Sequence, residues 1–65
     1  MNKLLEKDVY EMLLKYFGRS TAEIYLYSHK DKSDDFIILS LTELLTKYLG
    51  EEKAMEELNK LKNDL

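Results

Sequence analysis

The sequence predicts a single α+β domain in the order helix, β-hairpin, helix, helix, and three observations lead to it. A helix-period apolar stripe occupies residues 3–17, two short runs rich in β-branched and aromatic residues follow, and two more helical stripes flank Gly50. The expected elements are a helix at 3–17, a hairpin at about 23–39, and helices at 41–49 and 51–64, all within one domain spanning 1–65.

In the first element Leu5, Val9, Met12, Leu13 and Tyr16 recur at helical spacing, and Gly18 follows as a stop. Tyr10, Leu14 and Phe17 form a second stripe, so the apolar arc covers roughly 200° of the helix. One packing partner does not cover such an arc. The next runs, residues 23–28 and 36–39, are separated by residues 29–35, which carry no apolar side chain. Their composition predicts strand, loop, strand. Ser40 and Glu43 then have the spacing of a capping box for a helix bearing Leu41, Leu44, Leu45 and Tyr48. After Gly50, Glu51 and Glu52 suit a helix N-terminus, and Ala54, Leu58, Leu61 and Leu65 form the apolar stripe of a last helix, with Met55 beside it.

An all-α alternative of two helical hairpins competes with this reading. Ser20 and Glu23 also have capping-box spacing, and Ser33, Asp34 and Asp35 can open one long helix to Leu49. Moreover, Lys15-Tyr16-Phe17-Gly18 with Ala22 and Leu26 matches Lys47-Tyr48-Leu49-Gly50 with Ala54 and Leu58 at an offset of 32 residues. The matched residues are also those that any helix, glycine cap and following apolar element would use.

A 65-residue chain has a thin core, and scaffolds of this size are commonly reinforced by disulfides, metals or self-association. There is no cysteine, and the single histidine, His29, has no neighbour at metal-ligand spacing, so self-association is the expected device. No apolar run reaches the roughly 18 residues of a membrane span, and the charged first residues do not read as a secretion signal. A cytoplasmic protein is expected. The net charge of -3 argues against a phosphate-neutralising surface. It is unevenly placed: residues 1–33 carry six basic and five acidic side chains (+1), residues 34–65 four basic and eight acidic (-4).

Catalytic and ligand motifs are weak throughout. His29 sits in the polar loop near Ser28 and Ser33, without the third member or the elbow that a nucleophilic triad needs. Asp31, Ser33 and Asp35 match the first ligand positions of a calcium loop, but Phe36 stands where glycine is required and Thr42 where a bidentate glutamate is required. The two helices around Gly50 invite a helix-turn-helix reading, yet the second would present Glu51, Glu52, Glu56 and Glu57 to phosphates. Arg19, His29, Lys30 and Lys32 with Tyr25 and Tyr27 make a poor single-strand site beside Asp31, Asp34 and Asp35. No enzyme activity, cofactor, metal, nucleic acid or membrane partner is therefore expected.

The hairpin as read has apolar side chains on both faces, which leaves an interface uncovered. Its candidate residues are Tyr25, Tyr27, Ile37 and Leu39, with Tyr10 and Leu14 from the first helix, and its expected occupant is a second copy in a two-fold homodimer. Glu51, Glu52, Glu56 and Glu57 read as a solvated acidic face for a partner. The expected function is a small non-catalytic regulatory or adaptor module that binds protein and self-associates. The second reading is an acidic inhibitor that occupies a nucleic-acid-binding site on a larger protein.

Overall fold

The computed structural model describes residues 1–62 and shows four helices: α1 (Lys3–Phe17), α2 (Arg19–His29), α3 (Asp34–Leu49) and α4 (Glu51–Lys62). No strand occurs among the described residues, so the α+β prediction is overturned in favour of two helical hairpins. α1 packs on α2, α3 packs on α4, and α1 also meets α4.

The correction centres on residues 23–39. The run 23–28 lies inside α2, and the run 36–39 opens α3. Ser33 is the cap, its Oγ accepting from the Phe36 backbone N–H at 3.1 Å, with Asp34 and Asp35 complementing the positive end of the helix. Ser40, expected as a cap, lies within α3, and the predicted helix at 41–49 is the later part of that longer element. Ile37, Leu41 and Leu45, four residues apart, form one fully buried stripe. That stripe outweighs the local β preference of four residues, since such preference is small beside burial. Thr42 fits the helix by donating its hydroxyl to the Ile38 carbonyl at 2.7 Å.

The two hairpins are built alike. Gly18 (φ 91°, ψ 174°) and Gly50 (φ 88°, ψ 164°) share a conformation essentially restricted to glycine. Each donates its N–H to the carbonyl four residues back, Leu14 or Thr46, and accepts from an alanine N–H four residues on, Ala22 or Ala54. One glycine thus closes one helix and opens the next. The pairs Leu5 and Ile37, Val9 and Leu41, Leu13 and Leu45, and Ala22 and Ala54 are all buried, and each is separated by 32 residues. The offset visible in the sequence therefore extends through the core.

The hairpins are joined at both ends of α1 and α3. Asn2 caps α1 by accepting from the Leu5 N–H at 2.8 Å, and it donates its backbone and side-chain N–H groups to the Asp34 carboxylate at 3.0 and 2.9 Å. At the far ends the Phe17 and Tyr48 rings stand 4.6 Å apart. α1 and α3 thus lie side by side in the same direction. The wide apolar arc of α1 is covered by α2 and α4. Ala54, Leu58 and Leu61 are buried as their stripe predicts, while residues 63–65, including Leu65 and the predicted end of the last helix, lie outside the described residues.

Candidate protein interface

The residues proposed for an apolar interface are dispersed by the all-helical fold. Ile37 is 0% exposed and belongs to the core, which removes it from any docking surface. Tyr25 is half-buried, stacked on His29 at 4.0 Å, and its hydroxyl is enclosed near Ser40 without a hydrogen bond of normal geometry. Burial pushes the Tyr25 hydroxyl above its usual pKa. Tyr27 on α2 and Leu39 on α3 are exposed, at 75% and 61%. Leu39 lines a shallow cleft of about 160 Å³ with Phe36, Ser40 and Glu43. Tyr10 is half-buried and Leu14, one turn later on α1, is exposed.

The glutamates of α4 divide in two. Glu51, Glu52 and Glu56 are exposed and border a hollow of about 400 Å³ at the α3–α4 junction, with Leu49, Gly50 and Lys53. Lys53 pairs with Glu56 at 3.6 Å, while Glu51 and Glu52 have no ion-pair partner among the described residues. A larger groove of about 510 Å³ continues along α3 and α4 over Thr42, Thr46, Met55, Leu58 and Asn59, again bordered by Glu51 and Glu52. Met55 is 63% exposed there. A methionine between carboxylates offers an adaptable apolar contact inside a field that favours cations.

Glu57 does not belong to this face. It is 5% exposed and accepts a hydrogen bond from the Tyr16 hydroxyl, with Lys15 and Lys60 each placing Nζ 3.4 Å from its carboxylate. These contacts tie α4 to α1. The Tyr16 hydrogen bond, helped by both lysines against the cost of burial, holds the Glu57 carboxyl below its usual pKa. The same hydrogen bond holds the Tyr16 hydroxyl above its own. Beside the clasp lies a cleft of about 220 Å³ lined by Asp8, Glu11, Met12, Lys15, Lys60 and Leu61. Glu57 lines it too, so three carboxylates and two lysines border this seam between α1 and α4.

His29 stacks on Tyr25 and its Nδ1 lies 2.9 Å from the Tyr25 carbonyl oxygen. The Phe36 ring centroid is 6.1 Å away, so this imidazole links the end of α2 to the start of α3. Among the described residues, no group of three His, Cys, Asp or Glu side chains stands close enough to hold a metal ion. Nor is any described helix long and apolar enough to cross a membrane. No family model, curated protein or solved structure matches the chain.

Proposed function

We propose that the protein is a small non-catalytic binding module of the cytoplasm whose acidic edge occupies a basic, nucleic-acid-binding surface on a larger protein. The observation that carries this reading is the exposure of Glu51, Glu52 and Glu56 together at the α3–α4 junction, with Met55 beside them and Lys53 paired with Glu56. The N-terminal half of α4 brings the three carboxylates to one edge, which concentrates negative charge there. Surfaces that bind phosphates display dense Lys and Arg, and an acidic edge gains its largest electrostatic complement there. The chain acts by blocking access rather than by chemistry: its one imidazole is engaged in a structural stack and hydrogen bond.

Capture of partners from cells that produce the protein tests this reading, comparing the parent chain with the triple variant Glu51→Lys, Glu52→Lys and Glu56→Lys. The expected partner is released by the triple change, weakens steeply as salt rises, and loses its own DNA or RNA when the parent chain is added. A partner that holds the triple variant equally well, or holds nucleic acid and this protein at once, refutes the proposal.

A further inference from the structure

The 32-residue correspondence between the hairpins superimposes the groove of one on a ridge of the other. Thr42 and Thr46, whose small side chains leave the α3–α4 groove open, correspond to Tyr10 and Leu14 on α1. Asn59 corresponds to Tyr27, and Glu51 to Arg19. At matching places, then, one hairpin has a hollow with carboxylates and the other has bulky apolar side chains with a guanidinium. Leu14, Tyr27 and Arg19 are all exposed, and Tyr10 is half-buried. Lys30 Nζ lies 4.8 Å from the Tyr27 ring centre, adding a second cation to the ridge.

We infer that the α3–α4 groove is covered by the α1–α2 ridge of a second copy, with Arg19 facing Glu51 and Glu52, in a head-to-tail contact. Shape and charge both favour this pairing over ridge on ridge. A ridge against itself brings Arg19 and Lys30 onto their own kind, and a groove against itself brings Glu51 and Glu52 together. Arg19 is held by Glu23 at 2.9 Å, but that pair is solvent-exposed and exchanges at little cost. A head-to-tail contact leaves a free groove at one end of every dimer and a free ridge at the other, so assembly continues beyond two copies unless it closes into a ring. The second copy and the larger protein proposed above use the same Glu51, Glu52 and Met55 surface, so they exclude each other at any one groove, and sedimentation of the chain alone tests the self-contact whatever becomes of the other reading.

Sedimentation of two surface variants tests it. Tyr27→Glu blocks the ridge and Met55→Lys blocks the groove, both at exposed positions that leave the core intact, as helical circular dichroism and melting would verify. The parent chain is expected to give a mass that rises with concentration past the dimer, or reaches a ring of three or more, while each variant alone stays monomeric. An equimolar mixture of the two retains one good ridge and one good groove, and should form a heterodimer and nothing larger. A monomeric parent at millimolar concentration overturns the inference. So does a Met55→Lys variant that dimerises like the parent, which would indicate a symmetric ridge contact, or a mixture that stays monomeric.

Discussion

Replacing Glu57 by lysine tests the clasp that joins α4 to α1, and the structure sets the size of the effect. The carboxylate is 5% exposed and receives the Tyr16 hydroxyl with Lys15 and Lys60 nearby. Hydrogen bonds to charged groups contribute about 1.5–3 kcal/mol each when buried, and disrupting a buried charged group costs about 3–5 kcal/mol. A lysine at 57 removes the acceptor and sets a third cation among two, so a loss of about 3–5 kcal/mol is expected. A chain of this length has a total stability of about 3–10 kcal/mol, so this variant should be largely unfolded or close to it. Glu57→Gln keeps the shape and an acceptor and should lose about 1–2 kcal/mol. Urea titrations followed by helical circular dichroism measure both. The pH dependence gives an independent check. Because the folded pKa lies below the ordinary 4.5, the charge contributes its full stability above 4.5, and that contribution is lost as pH falls through the lowered folded value. The parent and the glutamine variant should therefore converge in stability on acidification. A lysine variant within about 0.5 kcal/mol of the parent at neutral pH, as for an ordinary surface change, refutes the clasp.

Leu58→Asp places a carboxylate at the 6%-exposed centre of the α4 stripe, and thermal melting should show a loss of several kcal/mol, enough to detach α4 or unfold the chain. Gly18→Ala and Gly50→Ala each add a Cβ that meets no atom within 4 Å, so any loss comes from the positive φ alone. Both should cost about 1–3 kcal/mol by denaturant titration, and a large inequality between them would contradict the equivalence of the two turns. Tyr27 and Ile37, both interface candidates on the strand reading, should now separate: Tyr27→Glu keeps a cooperative melting transition, whereas Ile37→Lys abolishes it, because Ile37 is fully buried.

The sequence carried more of this fold than its composition suggested, and the misleading element was the missing alternation at residues 36–39. Four consecutive apolar residues suit a strand with two apolar faces. On a helix, at about 100° per residue, the same four point in all directions. Ile37 then falls on the core, Ile38 is half-buried, and Phe36 and Leu39 face outward. Spacing beyond the run held the answer, since Ile37, Leu41 and Leu45 continue one stripe across the expected boundary at Ser40. The 32-residue match was the other legible signal. Its motif residues were ambiguous singly, whereas the buried pairs at the same offset require both hairpins to pack alike.

Glu57 was legible by the same geometry and was hidden by its neighbours. Four glutamates near a helix start read as a solvated face, but on the wheel Glu57 lies about 60° from Ala54 and 40° from Leu61, at the edge of the apolar stripe rather than opposite it. A carboxylate there requires partners, and helical spacing alone cannot name Lys15 and Tyr16, which sit some forty residues earlier. Long-range polar partners depend on how the helices cross, which no local period encodes. The ridge and groove differ in this respect. Once the repeat is accepted, Tyr10 opposite Thr42, Leu14 opposite Thr46, Arg19 opposite Glu51 and Tyr27 opposite Asn59 can be read from the sequence directly. Repeated core positions that stay alike, beside surface positions that diverge in bulk and sign, are the pattern expected where the two halves must fold identically yet meet different surroundings.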